Sequence, residues 1–232
     1  MTGSPGLPVP PLAESAWLFD VDGTLVDSNY LHVAAWLKAF DAIRRPVQAW
    51  RIHRRIGMDS AKMLGELLGA DAARLSDDVK AAHQDAYAAT TDLLRPLPGS
   101  RELIAHLASE GAAIVLATSA PPDELAILRR VLDIDDLLKA TTDADDVDTA
   151  KPDPGIVQTA VERSGRPAEC ALFVGDAVWD MQAAVRAGVS CVGVRTGGIS
   201  DAELHSAGAS ATYDDAAQLL AELLAQLQAS QR

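Results

Sequence analysis

Asp20 and Asp22, in the stretch AWLFDVDGTLVDS (16–28), are two carboxylates separated by one residue at the end of a short apolar run. At that spacing they repel each other unless positive charge lies between or beside them. Their neighbours Val21, Leu25 and Val26 are apolar, and no lysine or arginine stands nearby in the chain. A metal ion is therefore the first candidate to sit with them, and later parts of the chain must supply its other ligands. Three stretches offer suitable groups. Thr118 and Ser119 close the apolar run GAAIVLATS, Lys151 stands in AKPDP, and VGDAVWD places Asp176 and Asp180 four residues apart, one helical turn. Each stretch alone also has a plain structural reading. A lone pair of aspartates caps strand-to-helix turns, TSAPPDE reads equally as a helix N-cap followed by proline, and Asp176 suits a helix N-terminus.

The order of elements decides whether these groups can meet. Strand patterns occur at 15–20, 111–119, 137–142, 169–176, 190–198 and in ASATY at 209–213. Helical stretches lie between and after them, at 100–110, 122–132, 153–164, 178–187, 200–207 and 214–229. Strands alternating with helices of this length imply an α/β fold, a Rossmann-like doubly wound parallel sheet with helices on both faces. Ligands bind such sheets beyond the carboxyl ends of the strands, where Asp20, Thr118, Ser119 and Asp176 all fall. From 28 to 95 the rhythm breaks, with only helical patterning such as YLHVAAWLKAF and SAKMLGELLGA before the return through RPLPG. The expected organisation is a loose tail (1–14), an α/β core domain (15–27 and 96–232) and an inserted all-helical cap domain (28–95). Such a cap, by opening and closing over the strand ends, would exclude water and select the substrate.

Bulk properties narrow the function. With 48% hydrophobic and 23% charged residues the composition is that of a globular protein, and no apolar run approaches the ~20 residues that span a bilayer. The net charge of −13 argues against nucleic acid and against an anionic membrane surface as partners. An anionic substrate would need local attraction from a metal, a lysine or a few arginines. The N-terminal MTGSPGLPVPPLAE has four prolines and no basic cluster, unlike a signal peptide. Cys170 and Cys191 lack metal-type spacing and are expected as buried free thiols. A cytoplasmic monomer is the expected state.

DVDGT, a strand ending in Thr-Ser, AKPDP and VGDAVWD, in that order, resemble the motifs of the haloacid dehalogenase-like superfamily. The helical insert after the first motif is similar to the subgroup that includes phosphoglycolate phosphatase and β-phosphoglucomutase. The resemblance implies Asp20 as a nucleophile that forms an aspartyl-phosphate, with Mg²⁺ as cofactor offsetting the repulsion between carboxylate and phosphate. It implies Asp22 as general acid and base, giving the metal its backbone carbonyl and keeping its carboxylate free. Gly23 would let the backbone approach the phosphate, Thr118 and Ser119 would hydrogen-bond the phosphoryl group, and Lys151 would offset charge. Asp176 would ligate Mg²⁺ directly, and Asp180 would reach the cation through water or hold Lys151.

In the cap, His32 in LHVAAW and Arg54, Arg55, Gly57 and Met58 in RRIGMD resemble segments that face the substrate in that subgroup. Adjacent arginines on a helix cannot both point one way, so at most one of Arg54 and Arg55 is expected to reach it. The implied activity is a phosphatase for a small phosphorylated metabolite, phosphoglycolate-like or a sugar phosphate. A β-phosphoglucomutase-type mutase is the alternative, favoured by His32 and the AW that follows. DGTLVDS, IGM and the second aspartate of VGDAVWD favour hydrolysis. A phosphatase-like fold kept only for binding would be expected to lack the nucleophile or the general acid, and both positions hold aspartate.

Overall fold

A computed structural model of the chain describes residues 11–146 and 150–230. Six strands form one sheet: β1 (Ala16–Phe19), β2 (Ala113–Ala117), β3 (Ala140–Thr142), β4 (Ala171–Gly175), β5 (Ser190–Val194) and β6 (Thr212–Tyr213). All neighbours pair in parallel, in the order β3-β2-β1-β4-β5-β6. The chain winds outward from β1 to one side and then returns to wind out on the other. The crevice between the carboxyl ends of β1 and β4 is thus the switch point where such sheets bind ligands.

Helices cover both faces because both faces of these strands are apolar. Trp17 and Phe19 of β1 point to one side, with Ile114, Leu116, Leu172 and Val174. There they pack against α5 (Ser100–Ser109), α6 (Pro122–Leu132) and α10 (Ala216–Ser230). Ala16 and Leu18 alternate to the other side with Val115 and Phe173, against α7 (Gly155–Ser164), α8 (Val178–Arg186) and α9 (Asp201–Ala207). Every residue of β1 is 0% exposed, so the strand that carries Asp20 is clamped from all sides.

Between β1 and α5 lie α1 (Asn29–Ala42), α2 (Ala49–His53), α3 (Ser60–Leu68) and α4 (Ala72–Ala88). Val33, Trp36 and Phe40 of α1 recur at helical spacing and meet Ile52, Met63, Leu64, Leu75 and Val79 in a separate apolar cluster. The four helices therefore have a core of their own. The chain leaves and rejoins the sheet side by side: Val26 bridges Pro96, Asp27 N donates to Arg95 O at 2.9 Å, and Leu97 N donates to Leu25 O at 2.8 Å.

Three expectations change. Residues 1–10 of the expected tail lie outside the described residues, but Leu12 is buried against the β1 core and Leu12–Glu14 form a 3₁₀ turn. The fifth strand stops at Val194, because Arg195–Gly197 turn into a 3₁₀ helix. Cys170 ends a 3₁₀ turn and is half-buried, whereas Cys191 is buried in β5; both thiols are free.

Candidate active site

Asp20 follows β1 directly, its N–H donating to Val174 O at 2.9 Å and extending the ladder between β1 and β4. Lys151 arrives from the loop before α7, and its side chain is buried, with Nζ 2.5 Å from Asp20 Oδ1 and 2.7 Å from Asp180 Oδ1. Asp180, in the first turn of α8, also accepts from Ala177 N at 3.0 Å through Oδ2. Of the two roles expected for Asp180, holding Lys151 is the one this geometry displays. Asp176 follows β4; its Oδ1 accepts from Thr24 Oγ1 at 3.0 Å and its Oδ2 from Asn29 Nδ2 at 2.7 Å. One oxygen each from Asp20, Asp176 and Asp180 lies within 4.8 Å of the other two, and all three residues are buried.

Three buried carboxylates share one ammonium. Burial pushes the Asp20 carboxyl up to about 7, with Asp180 and Asp22 adding to the rise and Lys151 opposing it. Burial, then the charges of Asp180 and Asp20, hold Asp176 well above the usual carboxylate range. The Lys151 ammonium is held above its ordinary range despite burial, because Asp180 and Asp20 favour the charged form. The centre is thus short of positive charge, and its donors are all oxygens. A hard divalent cation such as Mg²⁺ fits both facts, with Asp20 and Asp176 as carboxylate donors.

Asp22 departs from the simple expectation that a cation and Lys151 neutralise both early aspartates. Its carboxylate turns away from the acidic cluster and accepts from Ser28 Oγ at 2.5 Å. His32 Nε2 lies 3.4 Å from Asp22 Oδ1 and 3.3 Å from Glu124 Oε1. Burial opposes ionisation of both partners. The hydrogen bonds and opposite charges outweigh it, raising His32 to about 10 and holding Asp22 below its usual range. His32 Nδ1 in turn meets His83 Nε2 at 3.2 Å. Burial and the neighbouring His32 charge push His83 down to about 3, so it remains neutral. Tyr87 stacks on His32 at 4.0 Å and Trp36 on His83 at 3.9 Å. Trp36 thus reaches His32 through His83.

Gly23 is needed for space around Asp176 and does not line the cavity below. Its φ is +77°, and a Cβ there would lie 2.2 Å from Asn29 Nδ2 and 2.6 Å from Asp176 Oδ2. Gly23→Ala is expected to destabilise the protein by more than about 1 kcal/mol, through strain at positive φ and displacement of Asn29. Chemical denaturation of the variant beside wild type measures it.

A cavity of about 350 Å³ opens above this centre, in the size range of small-ligand sites. Asp20, Asp22, Thr118, Ser119 and Lys151 line it from the sheet, and His32, Arg55, Gly57 and Met58 from the helices. Thr118 is buried, its Oγ1 accepting from Ala120 N at 3.0 Å. Arg54 does not reach the cavity; it is ion-paired with Glu203 of α9. Arg55 does, while its Nε donates to Glu66 at 2.8 Å. Asp59 ties the helices to the lysine loop: it caps α3 through Lys62 N, and its own N–H donates to Lys151 O at 2.8 Å. A wider groove of about 680 Å³ at the opposite ends of the strands, beside Gly111 and Arg166, contains none of these groups.

Sequence reading missed Thr24, Ser28, Asn29, His83, Glu124 and Gly197. Gly197 alone carried a signal, a Gly-Gly after a strand; a Cβ there would overlap Asp176 Oδ2 at 1.8 Å.

The doubly wound sheet, the buried acid–lysine centre at its switch point and the cavity above it define an α/β enzyme with a helical insert. Residues 15–188 match the haloacid dehalogenase-like hydrolases, and the chain belongs to that family. A phosphoglycolate phosphatase of Pseudomonas fluorescens is 33% identical over 187 residues, 78% of this chain and 69% of the relative. A phosphorylated carbohydrates phosphatase of Thermotoga maritima is 29% identical over 75% of this chain and 82% of its own length. The crystal structure of a hydrolase from Pseudomonas syringae superposes with a TM-score of 0.85 at 37% identity, covering 90% of this chain and 97% of that one. By this kinship the chain is a phosphatase. No helix among the described residues is long and apolar enough to cross a membrane.

Proposed function

We propose that the protein is a Mg²⁺-dependent phosphatase that hydrolyses a small phosphorylated metabolite through an aspartyl-phosphate on Asp20. The observation that carries this reading is the Asp20–Lys151–Asp180 centre, with Asp176 beside it, whose Asp20 and Lys151 line a cavity of metabolite size. Mg²⁺ held by Asp20, Asp176 and the backbone carbonyl of Asp22 would lower the repulsion between nucleophile and phosphate.

A carboxylate oxygen of Asp20 bonds to phosphorus as the ester P–O bond breaks, and Asp22 protonates the departing oxygen. Water then attacks phosphorus, Asp22 takes its proton, and the Asp20–phosphorus bond breaks to release phosphate. Asp22 must carry a proton into the first step and regains it in the second, and the hydrogen bonds from His32 and Ser28 favour the ionised form that stands between the two. Lys151 balances charge on Asp20 and the phosphoryl oxygens. The hydroxyls of Thr118 and Ser119 line the same cavity and would donate to those oxygens. The insert helices would act as the cap, with His32, Arg55, Gly57 and Met58 facing the leaving group.

Phosphate release tests this on p-nitrophenyl phosphate, phosphoglycolate, hexose and pentose phosphates and β-glucose 1-phosphate. Turnover that requires Mg²⁺ and stops with a chelator is expected. Conversion of β-glucose 1-phosphate to glucose 6-phosphate without phosphate release would instead establish a mutase. Binding has a separate readout: Mg²⁺ at a hundred times its Kd stabilises the fold by about 2.7 kcal/mol, several degrees in Tm.

A further inference from the structure

Lys80 is anomalous for its surroundings. It lines the cavity that holds Asp20 and Lys151 and is half-buried, yet no acid pairs with it among the described residues. Lys38, Lys62 and Lys139 also lack an acid partner among the described residues, and what sets Lys80 apart is its place in the cavity wall. The other cations at the cavity are engaged. Lys151 lies between Asp20 and Asp180, and His32 between Asp22 and Glu124. Arg55 gives Nε to Glu66 and Nη1 to Arg51 O at 2.9 Å.

Position adds to charge. Lys80, His83 and Gln84 occupy one face of α4 at spacings of three and four residues, and all three line the cavity. His83 touches His32, which touches Asp22, so this face begins beside the groups that would protonate the leaving oxygen. Lys80 lies about one helical turn, roughly 5 Å, along α4 from His83. In a cavity of about 350 Å³ this placement suits a small leaving group.

We propose that Lys80 is a specificity-determining residue that binds a carboxylate on the leaving group, so that the substrate class is the phosphorylated short-chain hydroxy acids. This rests on the phosphatase reading and narrows it. A doubly anionic substrate approaching a chain of net charge −13 is repelled at long range. An uncommitted ammonium in the cavity wall supplies the local attraction, while a neutral sugar would leave it without a counter-charge.

The test compares phosphoglycolate with ethyl phosphate, which has the same carbon count and no carboxylate, using p-nitrophenyl phosphate as a general reporter of turnover. Wild type is expected to favour phosphoglycolate in kcat/KM. In Lys80→Met that preference should fall tenfold or more, about 1.4 kcal/mol or more, mainly through KM. Lys80→Arg should keep most of it, which a merely structural role would not produce. A preference unchanged in Lys80→Met, or a wild type that treats the two esters alike while cleaving p-nitrophenyl phosphate, overturns the Lys80 assignment alone. Failure of wild type to cleave any of the three with Mg²⁺ overturns the phosphatase reading and this inference with it.

Discussion

Asp20→Asn is expected to lower phosphate release by about 10⁴-fold or more while leaving the fold intact. The amide keeps the shape of the carboxylate and can still accept from Lys151, but it cannot attack phosphorus, and losses of a nucleophile are of this order. The same change removes a buried negative charge that burial, Asp180 and Asp22 all disfavour. In a chelator the variant should therefore be at least as stable as wild type in urea. Steady-state assays on p-nitrophenyl phosphate and paired denaturation curves measure both effects. Residual turnover within tenfold of wild type would remove Asp20 from the nucleophile's role.

The largest effect on stability is expected from Lys151→Met. The lysine is 1% exposed, and its ammonium is the cation between Asp20 and Asp180. Removing one partner of a buried ion pair leaves uncompensated charge and costs about 3–5 kcal/mol, more than most single substitutions. Activity should fall with it. Adding Asp180→Asn, which takes away one stranded carboxylate, should recover part of the stability and none of the turnover. Urea unfolding of wild type, the single and the double variant separates these outcomes. A single variant within 1 kcal/mol of wild type would show that Lys151 is not what balances the acids.

The fold was legible because the chain is locally consistent: the central strands β1, β2 and β4 are short apolar runs ended by glycine, aspartate or a hydroxyl, and helices follow at crossover distance. β1, β2 and β4 carry chemistry at their carboxyl ends because the backbone must stop pairing there. Asp20, Thr118 and Asp176 could therefore be placed before any contact was known. Side-chain direction was not legible. Asp20 and Asp22 diverge because Ser28 and His32 lie on one side and Thr24 and Lys151 on the other, and only folding sets that. Glu124 and His83 come from helices 41 residues apart in the chain and meet around His32. Nothing local in PPDEL or AAHQD marks them. Arg54 and Arg55 differ only in which way the end of α2 turns, which depends on Glu203 and Glu66.

The side-by-side departure and return of the chain at Val26 and Pro96 has a consequence for how this protein can be built and rebuilt. A span whose ends already touch is, for the sheet, just a longer loop. Closing a loop of about 70 residues instead of about 10 adds only about 1.7 kcal/mol of entropy cost, since the penalty grows with the logarithm of length. The four helices offset that with the apolar cluster they form among themselves. The segment from α1 to α4 therefore adds little loop-closure cost to the sheet, but Ala35 and Tyr87 still fill part of the sheet's own core, so any helices put in their place would have to refill it.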